Sequence, residues 1–159
     1  MAAALRIGLI SDTHGLLRPE ALDFLAGADH IVHGGDIGGP DILERLGALA
    51  PLSVVRGNND TAAWARSIPE TLRLDIGGIA LFALHDLKAL PQHLGPDPAA
   101  LGVRVVVSGH SHKPACSERG GVLYVNPGSA GRRRFSLPIA VAELLVEGGQ
   151  VRTRLVTLA

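Results

Sequence analysis

Short apolar runs that stop on polar or charged residues set the rhythm of this chain. Ile7-Gly8-Leu9-Ile10 is continuous and apolar, as in a strand buried on both faces, and it gives way at once to Ser11-Asp12-Thr13-His14-Gly15. Leu17, Leu22 and Leu25 then recur on one helical face, with Pro19 suited to the first turn and Gly27 to the stop. His30-Ile31-Val32-His33 reads as a second strand before Gly34-Gly35-Asp36. Pro40 to Leu49 reads as a helix with Ile42, Leu43, Leu46 and Leu49 inward, stopped before Pro51. Leu52-Ser53-Val54-Val55 is a third strand, closed by Arg56-Gly57-Asn58-Asn59-Asp60. Short strands alternating with helices predict parallel β-α-β units with right-handed connections.

From Thr71 the rhythm changes. Thr71 to Asp75 and Ile79 to Leu84 flank Gly77-Gly78, which predicts a hairpin whose second arm ends at His85-Asp86. A proline-punctuated stretch follows, with helices expected around Leu90 and from Pro98 to Leu101. Val103 to Val107 is a buried strand ending in Ser108-Gly109-His110-Ser111-His112. Ala115 to Arg119 and Val122 to Val125 are joined by Gly120-Gly121 and lead to the turn Asn126-Pro127-Gly128-Ser129. Pro138 to Val146 and Gln150 to Leu158 form a last hairpin around Gly148-Gly149. An α/β first half and a mostly β second half fit two packed sheets with helices outside.

Composition narrows the options. A chain of 159 residues predicts one domain spanning residues 1–159, large enough to bury a core without staples. Aromatic residues make up only 3%, so that core is aliphatic. Formal net charge is zero, which argues against a broad nucleic-acid surface. Cys116 is the only cysteine, so neither an intrachain disulfide nor a thiolate metal cage can form. With no signal-peptide pattern and no membrane-length apolar run, the expected location is the cytoplasm, with no membrane partner.

The chemistry gathers where strands end. Asp12 and His14 stand two residues apart, so both can turn toward one point at the carboxyl end of the first strand. Four later junctions carry Asp36, Asn58, His85 and the pair His110/His112. Two carboxylates, one amide and four imidazoles are too many donors for one ion and suit two, with a carboxylate as natural bridge. Without thiolates, Mn²⁺, Fe, Co²⁺, Ni²⁺ and Zn²⁺ all fit such a set. A pair of ions can clamp a phosphate and supply a hydroxide. No dinucleotide Gly-x-Gly-x-x-Gly or P-loop lysine follows the first strand, and no Gly-x-Ser-x-Gly elbow occurs.

Asp12-Thr13-His14, Gly35-Asp36, Gly57-Asn58-Asn59-Asp60, His85 and Gly109-His110-Ser111-His112, in that order, resemble the calcineurin-like metallophosphoesterases. The Asn126-Pro127-Gly128-Ser129 turn resembles their small prokaryotic phosphodiesterase branch, which is related to a retromer subunit. The resemblance implies a four-layer α/β/β/α sandwich of two mixed sheets flanked by helices, with a dinuclear centre at the sheet edge. It places Asp12, His14, Asp36 and His112 on one metal and Asp36, Asn58, His85 and His110 on the other, so that Asp36 bridges. Asp36, Asn58 and His110 would carry the catalytic role. The implied activity is hydrolysis of a small phosphate ester, foremost a phosphodiester, by a hydroxide between two divalent ions, Mn²⁺ first among them. A non-catalytic protein-interaction scaffold is the alternative, and a homo-oligomer stays open. Two positions depart from the family pattern. Asn59 stands where many members have a histidine that assists the leaving group, and Asp86 where glycine is common.

Other polar residues read as structural. His30 and His93 are expected to be structural or solvated, Asp60 to cap the next helix, Cys116 to be a small strand residue, and Trp64 to be a packing or interface residue. His33 is a candidate support for Asp36. Arg132-Arg133-Arg134 reads as a solvated loop, with attraction of a phosphorylated substrate as the alternative.

Overall fold

The computed structural model describes residues 4–158. The β-α alternation of the first half is present as β1 (Leu5–Ile10), α1 (Pro19–Leu25), β2 (His30–His33), α2 (Pro40–Gly47) and β3 (Leu52–Val54). The hairpin β4 (Thr71–Ile76) and β5 (Ile79–Leu84) follows, then the short helix α3 (Leu90–Leu94) and β6 (Val103–Val107). The chain finishes with β7 (Ala115–Arg119), β8 (Val122–Asn126), β9 (Ala140–Glu147) and β10 (Gln150–Thr157).

The strands form two five-stranded mixed sheets, ordered β10-β9-β1-β2-β3 and β4-β5-β6-β8-β7. β1, β2 and β3 are parallel, while β9 and β10 run antiparallel at one side. In the second sheet β5, β6 and β8 are parallel, with antiparallel β4 and β7 on the two edges. Three apolar clusters mark three interfaces between four layers. Ile7, Leu9, Leu81, Val105 and Leu144 fill the space between the sheets. Leu25, Ile31, Ile42 and Leu46 join α1 and α2 to the first sheet. Phe82, Leu84, Leu90 and Val106 join α3 and its flanking turns to the second.

The fourth layer is thin. It consists of the five-residue α3 and 3₁₀ turns at Leu87–Ala89 and Pro98–Leu101. The expected helix at Pro98 is therefore a single 3₁₀ turn, ended by Gly102 at φ 81°. α2 stops at Gly47 rather than Leu49, because Leu49 N–H bonds Leu46 O and tightens the chain toward Pro51. β9 begins at Ala140 and not Pro138, which has no N–H to give to a ladder. The helix expected after Asp60 is only a three-residue 3₁₀ turn, Ala63–Ala65.

Because β1 and β2 are parallel neighbours, the loops leaving them run side by side. Asp12 N–H donates to Gly35 O at 2.9 Å, His14 N–H to Asp36 O at 2.9 Å and Gly15 N–H to Ile37 O at 2.8 Å. The second sheet brings its own strand ends to the same edge, where Gly109 N–H donates to His85 O at 2.9 Å. That edge holds the site.

Candidate metal centre

The two carboxylates and four imidazoles converge in two groups, Asp12/His14/His112 and Asp36/His85/His110. In the first, His112 Nε2 lies 3.3 Å and His14 Nε2 3.7 Å from Asp12 Oδ1. In the second, His85 Nε2 is 3.3 Å from Asp36 Oδ2. The groups touch, since Asp36 Oδ2 is also 3.6 Å from His14 Nε2 and Asp12 Oδ1 is 4.0 Å from His85 Nε2. Asn58 joins the second group through its Oδ1, 3.1 Å from His110 Nδ1. All seven residues singled out in the sequence therefore stand at one edge.

The backbone there is unusual. Asp12, His14, Asp36, His110 and His112 all hold left-handed φ values between 46° and 73°. Phe135 is the one other non-glycine residue in that region among the described residues. Each such residue costs on the order of 1–3 kcal/mol and persists only where its surroundings enforce it. Crowding supplies part of the enforcement. A Cβ on Gly57 would stand 2.1 Å from Asp36 Oδ1, and one on Gly109 would stand 2.6 Å from Asp12 Oδ2.

Hydrogen bonds fix which atoms face the centre. Asp12 Oδ2 accepts from Ser11 Oγ at 2.7 Å and from His110 N–H at 3.1 Å, which aims Oδ1 at the imidazoles. His85 Nδ1 donates to Gly34 O at 2.7 Å, leaving an Nε2 lone pair toward Asp36. Asn59 donates its N–H to Asp36 Oδ1 at 2.9 Å and its side-chain amide to Asp36 Oδ2 at 3.2 Å.

Burial alone would raise the pKa of Asp12. His112, His14, Ser11 and His85 outweigh it and hold the carboxyl well below the ordinary carboxylate range. Asp36 follows the same logic, with burial opposed by His85 and by Asn59 N–H. For His85 burial acts to lower the pKa, yet Asp36, Gly34 O and Asp12 raise it above the usual imidazole value. Two anionic carboxylates are thus held together beneath a set of ring nitrogens.

Divalent cations fit this set. Asp12 Oδ1 and His85 Nε2 are buried without a hydrogen-bond partner, as is His112 Nδ1. Unsatisfied buried acceptors are costly, and a cation satisfies the first two directly. His14 Nε2 and His112 Nε2 face each other at 3.3 Å. That spacing suits two imidazoles sharing one ion at about 2.0–2.1 Å.

Several supporting residues depart from the sequence expectation. Asp60 caps no helix, because the following turn begins after Ala62 without a side-chain cap. Its buried carboxylate instead accepts from Ile37 N–H at 2.9 Å, Gly38 N–H at 3.3 Å and Gly57 N–H at 2.9 Å, stapling the loop after β2 to the loop after β3. His33 supports Asp36 through the backbone, accepting from Gly35 N–H at 3.0 Å while its Nε2 meets Thr13 Oγ1 at 3.0 Å. Burial lowers its pKa to about 4. His30 pairs with Ser53 Oγ at 2.8 Å and is structural, Trp64 packs against the cluster that joins α1 and α2 to the first sheet, and Arg132 to Arg134 lie in an exposed loop. Ser11, Ser129 and Asn126 were missed. Ser129 Oγ donates to Asp12 O at 3.0 Å and Asn126 Nδ2 to Gly109 O at 2.9 Å, so the late turn props both metal loops. Ser11 bonds its own neighbour inside the first motif, whereas Asn126 and Ser129 reach loops 17 and 117 residues away, which the turn alone does not reveal.

The family model described as the calcineurin-like phosphoesterase superfamily domain matches residues 5–149. The chain belongs to this superfamily. It is 33% identical over 162 residues to a probable metallophosphoesterase of Methanothermobacter thermautotrophicus, covering 94% of this chain and 91% of that protein. It is 30% identical over 155 residues to the phosphodiesterase YfcE of Escherichia coli K12, covering 79% of each. Its fold matches Vps29 of Entamoeba histolytica, solved in complex with Zn²⁺, with TM-score 0.70, 24% identity, and 98% and 100% of the two chains covered. For a calcineurin-like phosphoesterase divalent metal ions are expected, and the two carboxylate-imidazole groups are where this chain can hold them.

Proposed function

We propose that this protein hydrolyses phosphodiesters with two divalent ions, manganese foremost, held by Asp12, His14, Asp36, Asn58, His85, His110 and His112. The observation that carries the reading is the position of Asp36 Oδ2, 3.3 Å from His85 Nε2 in one group and 3.6 Å from His14 Nε2 in the other. One carboxylate so placed serves both groups and offsets the repulsion between two cations. Bound there, the ions supply Lewis acidity at a phosphoryl oxygen and lower the pKa of water.

The chain's own residues divide the remaining work. Asp12, Asp36, His85 and His112 are buried and hold the charge balance, while Asn58 and His110 are exposed and meet the incoming ester. His110 Nδ1 is engaged by Asn58 Oδ1, which orients the ring and leaves Nε2 as its free donor atom for the Asp36/His85 group. Asn59 has no proton to give a leaving alkoxide, and its amide is occupied on Asp36. General acid help is typically worth about 10²–10⁴-fold. Rates should therefore fall steeply as the pKa of the leaving alcohol rises. The convergence of ligand-type side chains supports an enzyme over a non-catalytic scaffold.

Turnover of bis-nitrophenyl phosphate, nitrophenyl monoester and alkyl nitrophenyl diesters tests the proposal, with added manganese and after exhaustive chelation. The expected result is manganese-dependent cleavage, faster for diesters than for the monoester. Diester cleavage that survives chelation, or none in the presence of manganese, would sink it.

A further inference from the structure

The thin fourth layer leaves a groove of about 380 Å³ beside His110, lined also by Asp86, Lys88, Lys113, Arg119 and Tyr124. α3 and its turns pack on β5, β6 and the Val122 end of β8, so Tyr124 keeps part of its surface in the groove and β7 is left uncovered. All five residues of β7 are exposed. The volume lies in the range of sites for small organic ligands. On the other flank of the centre, the hollow beside Asn58 and His85 is about 180 Å³, and its Arg56 is paired with Glu70 at 2.9 Å.

The groove is cationic in a chain of zero net charge. Lys88, Lys113 and Arg119 are exposed, and among the described residues none of the three forms an ion pair. Asp86 is the one carboxylate in the lining, and its Oδ1 is taken by Lys88 N–H at 3.1 Å. The groove also has a flat wall, because the Arg119 guanidinium stacks 4.3 Å above the Tyr124 ring. Stacked guanidinium and aromatic planes receive nucleobases, and lysine and arginine side chains receive phosphate oxygens.

We infer that this groove binds the second arm of the phosphodiester, and that the arm is a nucleotidyl group bearing a further phosphate. The inference rests on the phosphodiesterase reading and adds a substrate class to it. The groove is lined by His110 at one part and by the stacked Arg119 and Tyr124 at another, so an ester whose phosphorus sits at the centre can extend this arm along that wall.

Calorimetric titration of the full chain with thymidine bisphosphate in chelating buffer tests the groove without turnover. The wild type should bind the bisphosphate and not thymidine. Lys88→Glu and Arg119→Glu should each weaken binding at least about tenfold, the scale of one lost charge-assisted hydrogen bond. Both side chains are exposed and lie outside the core, so both variants should remain folded at the assay temperature. In parallel, the nitrophenyl ester of thymidine monophosphate carrying a second sugar phosphate should have a lower KM than methyl nitrophenyl phosphate, and only the former should lose that advantage in the variants. Absent bisphosphate binding, or binding indifferent to both reversals, would overturn the groove. Intact, reversal-sensitive binding with no ester turned over would support the groove while rejecting the phosphodiesterase reading.

Discussion

Two groups of buried charge sit on the first sheet and are built on different terms. On β9, Glu143 is 6% exposed and lies between Arg6 Nε at 2.5 Å and Arg154 Nε at 3.0 Å. Its backbone is an ordinary antiparallel ladder, with Glu143 opposite Arg154 in register. At the carboxyl edge of the same sheet, Asp12 and Asp36 face imidazoles instead of fixed cations, on left-handed backbone, with Asp12 Oδ1 and His85 Nε2 unpartnered. The first group brings its own counterions. The second spends conformational strain to hold donors that have no partner within the chain. That contrast separates a structural ion pair from a site prepared for a ligand, and it makes the two respond differently to substitution.

The largest effect is expected from Asp36→Asn. The amide keeps the shape and removes the charge that serves both groups. Turnover should drop by at least about 10³-fold, the upper end for loss of one preorganised electrostatic group, and bound metal should fall from both sites. Metal analysis beside diester kinetics checks this. Unchanged metal content with normal turnover would erase the distinction from the Glu143 cluster.

Next come His112→Ala and His110→Ala, which should differ from each other. His112 is buried against Asp12, whereas the His110 side chain is 46% exposed beside Asn58. Each variant should lose mainly one ion, seen as one titration step missing from a metal-binding isotherm. The His112 variant should empty the Asp12/His14 group, and the His110 variant the Asp36/His85 group. Loss of both ions in both variants would contradict this division of ligands.

Asp60→Ala tests the scaffold beneath the centre. It strips acceptors from three backbone N–H groups, each worth about 1–3 kcal/mol when left unsatisfied and buried. A marked fall in melting temperature is expected, with metal affinity about 10–100-fold weaker, as for loss of an outer support. Full affinity in a destabilised protein would show that the loops hold their form without the staple.

The smallest effect belongs to Glu143→Gln. Arg6 and Arg154 hold the carboxyl below its usual pKa against the upward push of burial. A lowered folded-state pKa means that the stabilisation is present above the unfolded carboxyl value near 4.5 and is lost as pH falls through the folded value. The variant should therefore show a flatter acid limb in denaturation curves below that value. Gln keeps a hydrogen-bonding oxygen between Arg6 and Arg154, so the protein should stay folded at neutral pH and metal content should not change. A variant that lost metal would tie the two clusters together.

The strands that present the ligands were legible because each apolar run ends on its ligand residue, as Ile10 passes into Ser11-Asp12 and Val107 into Ser108-Gly109-His110. The hairpin register was also legible, with Thr71 opposite Leu84 across Gly77-Gly78. What escaped is long-range and polar. Asp60 looks like a helix cap because it precedes Ala62 to Ala65, and only the adjacency of β2 and β3 turns it into a staple. Asn59 reads as a vacant proton donor until Asp36 is brought beside it. The thinness of the fourth layer was not legible either, since prolines at 91, 96 and 98 shorten helices without saying which strands go uncovered.

The central claim is that Asp12, Asp36 and the four histidines form one centre for two ions. Its most direct test is the number of manganese ions bound per chain after equilibration and removal of excess metal. Two ions per chain, with both sites depleted in Asp36→Asn, is the result expected. A saturating value of one ion per chain, or none, would contradict it.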